Sequence, residues 1–218
     1  MYKLSAFKLG LLRVIMMVIT VFAIVSIAVA GFFIVYIRTP VNGLSMLPTL
    51  NLEYEQMGEN DMVYINRFNK GEVGDIVVLD LRKHPSFGDY AIKRLVAVEG
   101  DVVNITFDAS AMQYHLIVND KIVQSKPHKL FGYNTYSSFE QYINNHKHDL
   151  TRVSVDEGDN VKGVIIKSGE IFVLGDNWEE SKDSSLVGPL NSNTIVGRVD
   201  IVVKPSQNEF FSILKRIF

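Results

Sequence analysis

Between Val14 and Ile37 the chain reads VIMMVITVFAIVSIAVAGFFIVYI, with no Asp, Glu, Lys, Arg or His. About 24 residues at about 1.5 Å each form a helix of about 36 Å, enough to cross about 30 Å of hydrocarbon. Lys3, Lys8 and Arg13 precede this stretch, Arg38 follows it, and acids then appear at Glu53 and Glu55. The bias of basic residues leaves residues 1–13 in the cytoplasm, makes 14–37 a single transmembrane helix, and sends the chain after Arg38 to the extracytoplasmic side. A cleaved leader is the competing reading, since Ala28-Val29-Ala30 matches an A-x-A cleavage site. Phe32–Ile37 continue the apolar run and bury that site inside the span, so an uncleaved anchor is expected.

The mean hydropathy of +0.13 agrees with a lipid-facing part. A net charge of −2 offers no basic field for nucleic acid. With no cysteine, disulfides, thiolate metal sites and cysteine nucleophiles are excluded. At 218 residues the chain can hold one well-buried domain with appendages.

After the anchor the pattern changes to short alternating runs. Asp61–Asn66, Asp75–Asp80, Tyr90–Glu99 and Val102–Phe107 read as strands between Gly or Asp turns, and His115–Val123 as a hairpin turning at Asn119-Asp120. Glu170–Leu174 and Thr194–Lys204 supply late strands. The outline is mainly β, a barrel or sandwich. Between Gln124 and Gly163 the chain is polar and less regular, and reads as an inserted subdomain. There Ser137-Ser-Phe-Glu140 resembles a capping box opening a short helix with Phe139, Tyr142 and Ile143 on one face. His146 and His148 lack a third ligand nearby and read as surface residues rather than a metal site. In the tail, Phe210, Phe211, Leu214, Ile217 and Phe218 lie among Lys215 and Arg216. Residues 206–218 are therefore an interfacial amphipathic turn or a disordered end.

The chemistry begins at GLSMLPTL, residues 43–50. Serine is a weak nucleophile at its own pKa and needs a partner to take its proton. No histidine lies near Ser45 in sequence. Lys93, in DYAIKRLVAVEGD, shares a strand face with Ala91, Leu95 and Ala97, while Arg94 points the other way. A strand lysine is ordinarily a snorkelled surface residue. Buried, however, it loses hydration and its pKa falls. Acting as a base near neutrality takes a bias of about 4 kcal/mol from the reference value. A third segment, FVLGDNWEESKDSS (residues 172–185), closes a strand in a Gly-Asp-Asn turn that would by itself be unremarkable.

Taken in order, GLSMLPTL, GDIVVLD, YAIKRLVAVEGD and FVLGDNWEESKDSS resemble the successive boxes of type I bacterial signal peptidases, the Ser/Lys enzymes of peptidase family S26. They follow a single amino-terminal anchor, as in the family's Gram-positive members. The resemblance runs from the anchor to about Pro205. It implies a signal-peptidase-type, β-barrel-like catalytic domain over 38–205, with a smaller inserted cap over about 102–168. It further implies Ser45 as nucleophile and Lys93 as general base and then general acid. Ser181 would orient the lysine, Met46, Pro48 and Thr49 would shape the nucleophile turn, and Gly175, Asp176 and Asn177 the adjoining wall. No cofactor and no metal are implied. The partners implied are secretory preproteins with small residues before the cut, membrane lipid, and a neighbouring secretion translocon.

Two departures from the family pattern stand out. Gly43 occupies a position where some members carry a serine that assists the oxyanion. Ser185 stands where the family usually has an arginine partnering Asp183, which leaves Asp183 unsupported unless Arg94 or Arg198 compensates. An unsupported Asp183 keeps a noncatalytic assembly or chaperone role open. Met46, Leu47, Leu50 and Leu52 are candidates for contact with lipid or substrate. A self-cleaving Ser/Lys regulator is disfavoured by the anchor and by the lack of a DNA-binding helical module.

Overall fold

The computed structural model describes residues 6–127, 133–155 and 161–217; Lys3, Phe218 and parts of the 124–163 region lie outside them. The chain forms two compact units, Met1–Ile37 and Arg38–Phe218. In the first, helix α1 runs from Ala6 to Val35. Its Lys8–Val35 stretch is long and apolar enough to cross a membrane, with mean hydropathy 2.8. The helix stops two residues short of Ile37, and strand β1 occupies Tyr36–Pro40. The cause is local: Pro40 disfavours helical geometry at Thr39, and the aromatic and β-branched residues before it prefer extended backbone.

In the second unit, a short helix α2 (Tyr54–Met57) precedes strands β2 (Met62–Asn66), β3 (Ile76–Asp80) and β4 (Tyr90–Val98). Strands β5 (Val102–Asp108), β6 (Gln113–Val118) and β7 (Lys121–Pro127) follow, then helix α3 (Tyr133–His146) and strands β8 (Val153–Val155) and β9 (Val161–Ile165). The chain continues through β10 (Glu170–Leu174), a one-turn helix α4 (Ser184–Val187), β11 (Leu190–Asn191), β12 (Ile195–Val203) and helix α5 (Glu209–Ile217). The tail is therefore helical. Two sheets result, a curled seven-stranded one ordered β1-β2-β12-β3-β4-β10-β11 and a five-stranded one ordered β7-β6-β5-β9-β8. The fold is mainly β, as its alternating runs require.

Asn119 and Asp120 both take positive φ, 50° and 62°, and close the β6–β7 hairpin where the sequence places its turn. The region after Gln124 is more regular than its composition suggests. Helix α3 starts at Tyr133, so Ser137–Glu140 lies in its interior and is not a capping box. Its first turn is satisfied instead by Trp178 and Glu179, the two residues that follow Gly-Asp-Asn. Glu179 accepts from the Tyr133 N–H at 2.9 Å, and the Trp178 carbonyl accepts from the Thr135 N–H and hydroxyl at 3.1 and 2.9 Å. Glu140 accepts from the Tyr136 hydroxyl at 2.5 Å. Phe139 and Tyr142 are buried in a cluster with Tyr114, Phe172 and Trp178, and Ile143 packs at its edge. His146 stacks on Tyr142, with ring centroids 4.2 Å apart, and bonds the Tyr142 carbonyl.

Gly188 ends α4 at φ 80°, ψ −170°, a region open essentially to glycine alone. A Cβ there would overlap the Tyr142 ring. Gly188→Ala should cost about 2 kcal/mol or more. A thermal melt should then show a midpoint lowered by about 4–8 °C.

Candidate active site

The loop after β1 is held as a closed ring by a buried amide–carboxylate pair. Asn51, at φ 62°, donates from Nδ2 to the carbonyls of Val41 (2.7 Å) and Gly43 (3.0 Å). Its N–H donates to Asp61 Oδ2 at 2.9 Å, and the Asp61 N–H returns a bond to Asn51 Oδ1 at 2.8 Å. Both residues are buried, where every such bond spares the cost of an unpaired polar group. Within the ring, Gly43 is exposed at φ 86°, and the Leu47–Pro48 bond is cis. Met46 and Leu50 point into a core cluster with Val41, Val63, Ile65 and Val78. They are core residues, not lipid contacts, because the two turn positions that face β2 and β3 must be apolar. Leu52 is exposed.

Ser45 is half-buried at the outer side of this ring. Lys93 Nζ lies 2.6 Å from Ser45 Oγ. The lysine sits on β4 opposite Val77 of β3 and is only 5% exposed. Burial pushes its pKa below the usual lysine value, against an upward pull from the charges of Asp183 and Asp176. Half-buried Ala91 and buried Leu95 share its strand face, as its spacing predicts, but a register shift between Phe172 and Val173 breaks the alternation, and Ala97 pairs with Phe172 in the core cluster on the other side of the sheet.

Gly175, Asp176 and Asn177 form a wall bonded to the serine turn. The Asn177 N–H donates to the Ser45 carbonyl at 3.0 Å, and Asn177 Nδ2 to the Leu44 carbonyl at 3.1 Å. A Cβ at Gly175 would collide with that same Ser45 carbonyl and with Ser181 Oγ, so glycine is required by close approach. Asp176 accepts from Thr49 Oγ1 at 2.5 Å and from both arms of Arg94, at 2.8 and 2.5 Å. Burial pushes the Asp176 carboxyl up, but those bonds prevail and hold it below the usual range. Lys126, from the second sheet, donates to the Asp176 carbonyl at 3.0 Å. Arg94 is thus committed to Asp176, and Arg198 to Asp200 and Asp75. Among the described residues Ser181 Oγ is buried without a hydrogen-bond partner, a hydroxyl held ready beside the wall.

A family model described as signal peptidase, peptidase S26, matches residues 11–204. The chain belongs to the S26 signal peptidase family. Signal peptidase IB of Staphylococcus aureus is 35% identical over 184 residues, covering 81% of this chain and 85% of that protein. The chloroplastic thylakoidal processing peptidase 1 of Arabidopsis thaliana is 33% identical over 162 residues, covering 71% of this chain and 38% of that protein. A crystal structure of a signal peptidase I from Enterococcus faecalis aligns with TM-score 0.35 and 18% identity, over 59% of this chain and 96% of that one.

In this signal peptidase Asp183 is not left unsupported. It is fully buried and accepts from the Gly175 N–H (2.9 Å), the Ser185 N–H (3.0 Å) and the Ser185 hydroxyl (2.8 Å). Neither Arg94 nor Arg198 compensates, because Ser185 supplies the missing donors itself. Residues that sequence reading passed over are Asn51, Asp61 and Lys126. Only Asn51 left a trace, as a polar residue between two leucines at a turn.

Ser185→Ala removes one of three donors from a buried carboxylate and should cost about 1–3 kcal/mol in chemical denaturation. Ser185→Arg should give no gain in thermal stability, since it places a guanidinium in a closed, already satisfied site.

Proposed function

We propose that this signal peptidase is a membrane-anchored Ser/Lys endopeptidase that removes signal peptides from exported precursors. The observation that carries the reading is the 2.6 Å approach of a buried lysine Nζ to a serine Oγ. The apolar helix serves as anchor with its amino end in the cytoplasm, so the catalytic unit lies on the extracytoplasmic face, next to lipid and near the translocon.

In the first step Ser45 Oγ attacks the scissile carbonyl carbon while neutral Lys93 takes its proton. The Ser45 N–H, joined covalently to the nucleophile, is the nearest donor for the oxyanion, and Gly43 brings no hydroxyl to help it. Collapse breaks the C–N bond. The leaving amine takes the proton from Lys93, and the signal peptide remains as an ester on Ser45. Water then attacks that ester, with Lys93 again accepting the proton, and the serine is regenerated as the carboxylate product departs. Ser181, whose buried hydroxyl makes no hydrogen bond to Lys93 in this structure, would orient the amine by turning its Oγ to Nζ as the reaction proceeds.

The substrate would run extended along β4. Strand β10 pairs with β4 only over Arg94–Val98, whereas β3 covers Tyr90–Arg94. The β10-facing side of Tyr90–Lys93 is thus available for main-chain pairing that leads directly to Lys93. Small side chains at the first and third positions before the cut suit a strand pressed that closely against the serine turn. An unsupported Asp183 was the one feature favouring a noncatalytic assembly role, and it does not exist.

The test is cleavage of a precursor with an Ala-x-Ala site in detergent micelles, with product termini read by mass spectrometry. Wild type should cut directly after the site, and Ser45→Ala and Lys93→Ala should each lose at least about 10³-fold in rate. Stable precursor binding with no cleavage by the wild type would overturn the reading.

The pH dependence has a definite sign. Neutral Lys93 is the active form, so cleavage should fall as pH drops through its lowered pKa. In the unfolded chain the lysine returns to its ordinary value and binds more protons than the folded form between the two pKa values. Wild-type stability relative to Lys93→Met should therefore rise with pH across that window, by at most about 1.4 kcal/mol per pH unit, and stay level below it. Denaturant midpoints measured across pH check this.

A further inference from the structure

Lys182 is exposed, and its ammonium stands 5.5 Å from the centroid of the Phe87 ring, within cation–π range. Among the described residues it has neither a hydrogen bond nor an ion pair. Its neighbours in sequence are both fixed. Ser181 Oγ is buried against Gly175, where an added Cβ would lie 2.3 Å away. Asp183 caps α4 and accepts from the Gly175 N–H. An unpaired cation is therefore presented from a rigid segment, with an aromatic ring beneath it.

Strand β4 shows what that cation faces. Phe87, in the turn between β3 and β4, packs with Ala91 against the cluster of Leu79, Leu95 and Val173. Ala91 lies on the Lys93 side of β4, two residues from the lysine and so about 7 Å along the strand. Ile92 points the other way and packs against the cluster that holds Met46 and Leu50 of the serine ring. The chain leaves β10 at Leu174, opposite Arg94, and by Lys182 it has reached Phe87. It thus flanks the side of Tyr90–Lys93 that β10 leaves unpaired.

We propose that Lys182 is a specificity-determining residue, which reads the fourth residue before the cut and favours a carboxylate there. The inference rests on the proposed function and on a substrate strand paired beside Tyr90–Lys93. Side chains of such a strand alternate between its two faces. The small first and third residues before the cut face the serine ring, on the Ile92 side. The second and fourth then face the Ala91 side. Ala91 lies beside the second, and Phe87 with Lys182 beside the fourth, about 7 Å further from the reacting carbonyl. An ion pair formed there stays in contact with water, so its effect is modest and fades with salt. The Phe87 ring restrains the lysine head before the substrate arrives, which lowers the entropy lost in pairing.

The test uses the full chain in detergent micelles and precursors with an Ala-x-Ala site. Each precursor carries Glu or Lys at the fourth residue before the cut, or at the fifth, which faces the other side. Glu and Lys forms compete in one tube, and the ratio of their kcat/KM values is read at low and at high ionic strength. Wild type should favour Glu over Lys at the fourth residue by about three- to fivefold, falling toward one in high salt. Lys182→Met, which keeps an apolar stem against Phe87, should bring the ratio to about one. Lys182→Arg should retain the preference, and Lys182→Glu should reverse it in favour of Lys. A purely structural role for the residue would slow both forms alike and leave the ratio where it was. A wild-type ratio of one, or a preference that survives in Lys182→Met, would overturn the proposal. So would a ratio that depends on residue 182 at the fifth position instead of the fourth. Normal cleavage without a charge preference sinks the Lys182 reading alone, whereas no cleavage of any precursor by wild type sinks the proposed function together with it.

Discussion

Keeping the Lys93 amine out of water is the demand from which the rest of the site follows. A lysine reaches neutrality only where burial penalises its charge, so it must stand on an interior strand. Strand β4 meets that demand, lying between β3 and β10 with Leu95 buried on the same face. The hydroxyl it approaches is shallower, on half-buried Ser45. Ser45 is accordingly placed on a loop carried over the end of the lysine's face. A loop carries no ladder of its own, and this one is fixed by Asn51 and Asp61 within, by Met46 and Leu50 beneath, and by Asn177 alongside.

Dryness also makes every nearby charge count for more. Two carboxylates act on Lys93, and both pull its pKa upward, against the effect of burial. They are handled differently. Asp176 is paired with the guanidinium of Arg94. Asp183 is held by three neutral donors, which stabilise the carboxylate without cancelling its field. An arginine at 185, as the family pattern has it, would supply that cancellation.

Much of this was legible in the sequence for a simple reason. Strand periodicity places Lys93 among apolar neighbours, and the burial of that face follows from the same alternation that builds the sheet. Asn119-Asp120 announces its hairpin because few residue pairs accept two successive positive φ values. Features set by tertiary contact were not legible. The Asn51–Asp61 pair joins residues ten apart through a loop with no period, and the start of α3 is decided by Glu179 and Trp178, more than forty residues away. Ser185 was misjudged because the family pattern names the residue expected there, whereas a buried carboxylate asks only for donors.

The five-stranded sheet grips the site from two directions. Lys126 on its edge strand β7 donates to the carbonyl of Asp176, and the first turn of α3 donates to the carbonyl of Trp178, two residues further on. Trp178 itself is fully buried in the core of that sheet, among Tyr114, Phe139 and Phe172. The Gly175–Asn177 wall is therefore the covalent lead-in to a core residue of the second sheet and, through Asn177, the support of the Ser45 turn. Any shift of α3 or β7 must move Trp178 or Asp176, and the wall with them. The second sheet is by this construction part of what holds Ser45 Oγ within 2.6 Å of Lys93 Nζ.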